Sequence, residues 1–149
     1  MPSINWLTAR AEIATILTGV AITSPISASI QRVFQTPPKQ LSDFPCVVIV
    51  GVQKGEPQRT AAIREREYTA RLRLIVRDAD LDRAADILDA FQEAIIDRFD
   101  INVTLNGKVS LVHGPLWQEA GTFEAGGQEH PAADGLVRFL MTDDPVFAP

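Results

Sequence analysis

Aspartates at alternate positions are the residues whose spacing most resembles a reactive site. Asp78, Asp80 and Asp82 have the spacing that opens a calcium-binding loop, and Asp89 falls at the twelfth position of that loop. The sharp turn of such a loop needs a glycine where this chain has Arg83, and helical periodicity is already established in the same stretch. We therefore interpret these aspartates as the cap of a helix, whose positive N-terminal end favours carboxylates.

The other reactive residue types lack the partners that catalysis needs. Residues 107–110 resemble the end of a phosphate-binding loop, but Asn102 stands where its first glycine should be, and a strand pattern follows. His113 and His130 lie in different segments and are interpreted as ordinary structural or surface residues. Cys46 opens an apolar strand, which predicts a buried, unreactive thiol. We predict no catalytic centre, no metal site and no cofactor.

Length and charge restrict the class of protein. With 149 residues, 46% of them hydrophobic, the chain is expected to form a single domain over residues 1–149. The balance of 14 basic and 19 acidic residues gives a net charge of −5, which disfavours a dedicated nucleic-acid or anionic-membrane binder. The N-terminus lacks the basic region of a signal peptide, and no apolar run approaches the roughly 18 residues of a membrane span. We expect a soluble protein made in the cytosol.

A strand pattern that runs directly into the longest helix pattern organises the chain. Tyr68 to Arg77 alternates apolar and polar residues, as a strand with one apolar face does. The helix predicted over Asp80 to Phe99 has one apolar stripe, which comprises Leu81, Ala84, Ala85, Leu88, Phe91, Ile95 and Phe99. Burial of each large side chain is worth roughly 1.5 to 3 kcal/mol, so this pair should nucleate the core.

The N-terminal half predicts a second helix and a central strand. Ser3 is a suitable N-cap and Gly19 a suitable end for a first helix. Its predicted apolar face comprises Leu7, Ala11, Ala14 and Leu17, widened by Ile13, Ile16 and Val20. The run 46–50 is β-branched and continuous, which predicts a strand covered on both faces in the middle of a sheet. Residues 53–67 are charged and are interpreted as a long hairpin, an arm whose tip is mobile on its own.

The C-terminal third predicts a hairpin, a loop and a last strand. Ile101, Val103 and Leu105 alternate with polar residues before Asn106-Gly107, a strong hairpin signal, and Val109, Leu111 and His113 alternate beyond it. Residues 121–135 are predicted to be a second long loop, and residues 136–141 a closing strand. The predicted fold is α+β, a mainly antiparallel β-sheet flanked on one face by an N-terminal helix and a long central helix, with extended loop arms.

An arginine row is the surface feature with the clearest functional alternative. Arg71, Arg73 and Arg77 follow one face of the predicted strand, and Arg64 and Arg66 extend the row. A solvated face is one interpretation, a subunit interface the second and DNA contact the third. In the interface reading, the arginines meet carboxylates on the outer side of a neighbour's helix. The predicted interface residues are Lys54, Arg59, Arg64, Arg66, Arg71, Arg73 and Arg77 with Asp86, Asp89, Glu93 and Asp97.

The order of these elements resembles the tail terminator proteins of tailed bacteriophages. The resemblance comprises the first helix, residues 32–38 and 44–50, the charged arm, the strand from Glu67 to Val76, the acid-capped helix and a last strand. It implies a virion protein of the tail and neck that forms a homo-hexameric ring on the last tail-tube ring and ends tail growth. The implied partners are the tail tube protein, a head-tail connector or head-closure protein, and DNA passing through the lumen without sequence-specific contact. No enzymatic activity, cofactor or membrane is implied.

Three alternatives remain beside that hypothesis. Another neck protein, for head closure or tail completion, has a similar order of elements. A small α+β enzyme would combine Asp or Glu with His113 or His130, and a cytosolic ligand-binding domain would dimerise through its sheet edge. Trp117 is compatible with a core position or an interface anchor.

Overall fold

The computed structural model describes residues 6–41, 43–55, 58–59, 64–77, 81–105, 109, 111–125 and 127–143. The helices in these residues are α1 (Trp6–Leu17) and α2 (Leu81–Ile101). The strands are β1 (Ala21–Ile22), β2 (Ala28–Ser29), β3 (Arg32–Phe34), β4 (Cys46–Lys54), β5 (Gln58–Arg59), β6 (Arg64–Ile75), β7 (Leu111–Trp117), β8 (Gly121–Ala125) and β9 (Gln128–Asp143). The predicted α+β class is confirmed.

One mixed sheet holds most of the strands. Its order is β3-β4-β6-β9-β7, with β5 paired to β6 and β8 paired to β9, while β1 and β2 form a separate pair. Every pairing is antiparallel except the parallel one between β3 and β4. The two longest strands, β6 and β9, pair without interruption from Arg64 opposite Asp143 to Ile75 opposite Ala132. The strand that begins at Cys46 lies between two others and starts with four buried residues, as predicted.

The main core lies between both helices and one face of this sheet. From α2 it takes Ala84, Ile87, Leu88, Phe91, Ile95 and Phe99, and from the sheet it takes residues such as Leu72, Leu74, Val137 and Phe139. The predicted stripe of α2 is therefore largely confirmed. Among the described side chains of the stripe, Ala85 is an exception, since it is exposed and Ile87 is buried in its place, while the side chain of Leu81 lies outside the description. At about 100° per residue, the buried residues of α2 occupy an arc of about 120° centred near Ala84, and Ala85 lies about 100° from that centre, outside the arc.

The first helix is rotated relative to its predicted face. Its buried residues are Ala9, Ile13, Ala14, Ile16 and Leu17. The prediction that Leu7 and Ala11 face the core is wrong, because Leu7 is 58% exposed and Ala11 is also exposed. This rotation buries two isoleucines, which remove more apolar area from water than Leu7 and Ala11 would. Gly19 follows the helix end with φ +84°, a conformation that favours glycine. The predicted N-cap, Ser3, lies outside the described residues.

The strand predicted around Ile101 and Val103 is wrong. Helix α2 continues through Ile101, and residues 103–105 form a turn in which Leu105 is fully buried in the main core. The Asn102 side chain donates a hydrogen bond to a carbonyl of the last helical turn at 2.9 Å. Three apolar residues at alternate positions therefore mark a helix end and a turn here. Asn106 and Gly107, the predicted hairpin turn, lie outside the described residues.

The long loop predicted over residues 121–135 is also wrong. This stretch forms the hairpin of β8 and the first part of β9, with Phe123 opposite His130 and Gly127 at φ +79° in the turn. Pro131 is tolerated in β9 because no partner needs an N–H at this position. The backbone of Pro131 faces Val76, one residue beyond the last β6–β9 pair, and its carbonyl accepts the N–H of Val76 at 3.0 Å. The backbone ladder forms here with few apolar side chains.

Two further predictions are confirmed. Strands β4 and β6 form the long hairpin expected over residues 53–67, with Lys54 opposite Tyr68, and β5 adds two more paired residues. Residues 60–63 at its tip, and with them the predicted mobility, lie outside the described residues. The predicted strand over residues 136–141 forms the second half of β9.

Both edges of the sheet are interrupted. The β3 edge is three residues long. On the β7 edge, the N–H of Val112 donates to the carbonyl of Val103 at 2.8 Å, and the pairing register with β9 shifts between His113 and Leu116. Short length, cover by a loop and an irregular register are features that limit pairing with another strand.

Cys46 is predicted to react slowly in the folded protein. Its side chain is fully buried, and burial, assisted by the carboxylate of Asp43, raises the pKa of the thiol to about 11. We expect a thiol reagent at pH 8 to label the native chain far more slowly than the urea-unfolded chain. Since the folded pKa is raised, this thiol should contribute stability below about pH 9 that is lost as the pH rises toward 11. Equal labelling rates in both states would contradict the buried position.

Candidate interface on the open face of the sheet

The face of the sheet turned away from the helices is only partly covered. We call it the outer face; its central residues are Arg71, Arg73 and Ile75 on β6 and Ala132, Asp134, Leu136, Arg138 and Leu140 on β9. At the β3 side, Leu41, Phe44 and Phe123 pack against a small cluster of this face, formed by Phe34, Cys46, Val48, Ile75 and Ala132. Toward β7, no described residue packs over it in a core cluster. The outer face therefore has a covered half and an open half.

Arg73 and Asp134 form an ion pair at the border between these halves. The two residues are directly opposite each other in the β6–β9 ladder. Arg73 donates from Nε to Oδ1 at 2.8 Å and from Nη2 to Oδ2 at 3.1 Å, and its guanidinium lies 4.5 Å from the ring centre of Phe123. The hydrogen bond to Asp134 raises the pKa of Arg73, although burial acts in the opposite direction. This arginine of the predicted row therefore has its carboxylate partner within the same chain.

The Arg73–Asp134 pair is predicted to stabilise the subunit. Both side chains are mostly shielded, with 23% and 20% of their surface exposed. We expect Arg73→Gln or Asp134→Asn to lower the free energy of unfolding by about 1 to 3 kcal/mol, because each leaves a charge without its two hydrogen bonds. Urea unfolding measures the loss, and the double variant should lose less than the sum of the two single losses. Additive losses would show that the pair is not coupled.

The open half combines two arginines and four leucines with Glu67, Thr69 and His113. Arg71 and Arg138 are exposed, lie on adjacent strands and form no ion pair with a described residue. Around them lie Leu111, Leu116, Leu136 and Leu140, of which the first two are 40% and 71% exposed. Apolar side chains beside arginines are the composition that protein interfaces favour over plain surface.

The exposed side of α2 carries the opposite charge. Asp86, Asp89, Glu93, Asp97 and Asp100, here called the acidic stripe, recur every three or four residues and are all exposed. None of these carboxylates forms an ion pair with another described residue. Like charges at such spacing destabilise a helix by roughly 0.2 to 0.5 kcal/mol per pair. The stripe lies on the helix layer, so it and the arginines of the outer face are on opposite sides of the sheet.

The other predicted interface residues are divided between different parts of the surface. Lys54 is exposed at the end of β4, and Arg77 is exposed just beyond β6. Arg66 lies two residues before Tyr68 in β6 and therefore shares the core side of the sheet with it. The prediction that Arg66 extends the arginine row is wrong. Arg59 and Arg64 lie in β5 and β6, and their side chains lie outside the description.

The residues considered for chemistry are placed apart. His113 is exposed on β7, while His130 is buried and stacks on Phe44 with ring centres 4.8 Å apart. Within the described part of the chain, no three His, Cys, Asp or Glu side chains form a group that could hold a metal ion. Trp117 packs against the main core and over Gly135, where an added Cβ would lie 2.8 Å from its ring. This favours the core interpretation of Trp117.

No protein-family model matches this chain, and no curated protein does. Its functional interpretation therefore depends on its own surface. Among the described helices, none is long and apolar enough to cross a membrane.

Sequence reasoning missed half of this surface. One alternating run on β9 contains Asp134, Leu136 and Arg138. The loop predicted over residues 121–135 includes Asp134 and therefore interrupts that run. The signal was present, since the residues from 132 to 141 alternate between the two faces of the sheet. Extending the predicted strand two residues upstream of residue 136 includes Asp134, which lies opposite Arg73.

Proposed function

We propose that this protein is a structural component of a phage tail that assembles into a homo-hexameric ring. In this proposal the ring caps the last ring of the tail tube, ends tube polymerisation and presents a surface to a head-tail connector or head-closure protein. DNA passes through its lumen without sequence-specific contact. The protein carries out no chemical step and needs no cofactor.

The opposite charges of the two faces carry this proposal. The outer face presents Arg71 and Arg138 among exposed leucines, and the acidic stripe of α2 presents five carboxylates without partners among the described residues. The two surfaces differ, face away from each other and are complementary in charge. Contact between the outer face of one copy and the acidic stripe of the next is a heterologous contact, and such contacts close into rings when the rotation between copies allows it.

Charge complementarity does not indicate how many copies assemble or which proteins they bind, and the resemblance to tail terminators suggests both. It suggests six copies, the tube as one partner and the connector as the other. The arm formed by the ends of β4 and β6 with β5 carries Lys54, Arg59 and Arg64, and we assign it to contact with the neighbouring subunit or the tube. The arm and the outer face belong to the same strands, so both are held in position by the ladder of the sheet.

Particle mass and tail length test the proposal directly. Size-exclusion chromatography with light scattering of a mixture with tube protein should give a complex that contains six subunits of 16.3 kDa in addition to the mass of the bound tube protein. Electron microscopy of tails assembled without this protein should show tubes of uncontrolled length. Capped tails of normal length in its absence would contradict the terminator role.

The same experiment separates the competing classes. A ring that binds a completed head but not tails would indicate another neck protein. A stable dimer with no affinity for tubes or heads would indicate a regulatory domain instead of a virion component.

A further inference from the structure

A groove crosses the covered half of the outer face. Its floor is Val48 and Val50 of β4, one wall is Pro37-Pro38 with Leu41, and the other wall is Phe123 of β8. The cavity holds about 300 Å³ and its lining is largely apolar. A groove lined by prolines, an aromatic ring and aliphatic side chains has the composition that takes extended, proline-containing segments.

Arg73 gives the groove a polar end. Its Nε and Nη2 are bound to Asp134, and its Nη1 makes no hydrogen bond to a described residue. The exposed Lys39 lies on the same rim, with Glu124 opposite. A segment that places apolar side chains on the floor and an acidic or carbonyl oxygen near Nη1 would match this arrangement.

The sequence after β9 has that composition. Asp143 is followed by Asp144-Pro145-Val146-Phe147, in which two acidic residues and a proline precede two apolar side chains. Proline favours an extended conformation for the residues on either side of it.

The reach of the chain decides which copy can supply this segment. Asp134 lies at the groove and Asp143 ends β9 nine residues further along the strand, about 30 Å away. Phe147 is four residues beyond Asp143, which allows it to lie at most about 14 Å from that point. Phe147 therefore cannot reach the groove of its own chain.

We infer that the groove between residues 37–41 and Phe123 binds Val146 and Phe147 of a second copy of this chain. This inference rests on the self-association in the proposed function and adds a second contact to it. Each subunit then holds its neighbour both by charge on the open half and by an apolar segment on the covered half. Truncating the segment should weaken assembly without affecting the fold.

Photo-cross-linking in the full-length protein tests the inference. Phe147→p-benzoylphenylalanine in unlabelled protein is mixed with wild-type protein labelled with ¹⁵N, at concentrations where light scattering finds assembled particles, and irradiated. Mass spectrometry should find residue 147 joined to labelled peptides that contain residues 37–41 or Phe123. The same substitution at Leu7, which is exposed on α1, is the control and should not label the groove.

A second measurement gives the size of the effect. Phe147→Ala should raise the dissociation constant of the assembly by about 10- to 100-fold, because one large apolar side chain loses its buried site. Cross-links only within one chain, only to other surfaces of the second copy, or absent because the protein stays monomeric would each overturn the inference. Normal tail capping with no cross-link at the groove would overturn it while leaving the proposed function intact. Groove cross-links in a protein that does not cap tails would support it and refute that function.

Discussion

Phe91→Asp should abolish cooperative folding. Phe91 is fully buried in α2 and packs in the main core between the helices and the sheet. Its replacement removes a large apolar side chain, which costs about 3 to 5 kcal/mol, and adds the cost of a carboxylate without a partner. A domain of this size has about 5 to 15 kcal/mol of stability, so we expect circular dichroism to show no sharp thermal transition. Leu88→Asp, at 2% exposure, should behave in the same way.

Ala85→Asp is the matched control for this experiment. It introduces the same side chain into the same helix, but at an exposed position. We expect a change in unfolding free energy of about 0.5 kcal/mol or less. If Ala85→Asp were as damaging as Phe91→Asp, the loss would come from added negative charge on α2 and not from burial. Unchanged thermal melting of Phe91→Asp would contradict the buried position of Phe91 in the main core.

Arg71→Glu combined with Arg138→Glu should leave the subunit folded and prevent assembly. Both side chains are exposed and form no ion pair with a described residue, so the fold loses little. At the proposed contact, the acidic stripe of the next copy would then face two glutamates. Like charges across an interface cost several kcal/mol, which predicts at least a 100-fold weaker association. Light scattering at several protein concentrations measures it.

Two companion variants make this result specific. Arg71→Lys with Arg138→Lys keeps the charge and should retain most of the assembly. Adding Asp86→Arg and Glu93→Arg to the double glutamate variant reverses both faces and should restore association. Failure of this rescue, with all variants folded, would place the contact elsewhere. Arg73 is unsuitable for such a test, because its reversal also breaks the ion pair with Asp134 inside the subunit.

Periodicity predicted the parts of this fold in which one pattern is long. The helix α2 and the strand from Tyr68 to Ile75 each contain enough repeats to define a period, and both lie where expected. The run of Ile101, Val103 and Leu105 was too short for that. Three alternating residues are equally compatible with a helix end followed by a turn, and tertiary burial of Leu105 decided between them.

The error over residues 121–135 had the larger consequence for the site. Gly126-Gly127 and Pro131 were interpreted as loop residues, but two strands on either side of a glycine turn need only backbone hydrogen bonds and a few side chains such as Phe123. Because the predicted loop includes Asp134, the sequence pattern assigns this residue no position in the sheet. Without Asp134, the sequence leaves a solvated face, a subunit interface and DNA contact as interpretations of the arginine row, whereas Arg73 has a partner in its own chain.

The blunt edges of the sheet have a consequence for how copies of this protein can accumulate. β3 is only three residues long, and β7 has one N–H bound to Val103 and a shifted register, so an incoming strand finds no long regular edge made by either strand. Aggregation into open-ended cross-β fibres, which grows through exposed strand edges, is thereby disfavoured. Copies are left to meet through side-chain surfaces, where the geometry of contact limits their number.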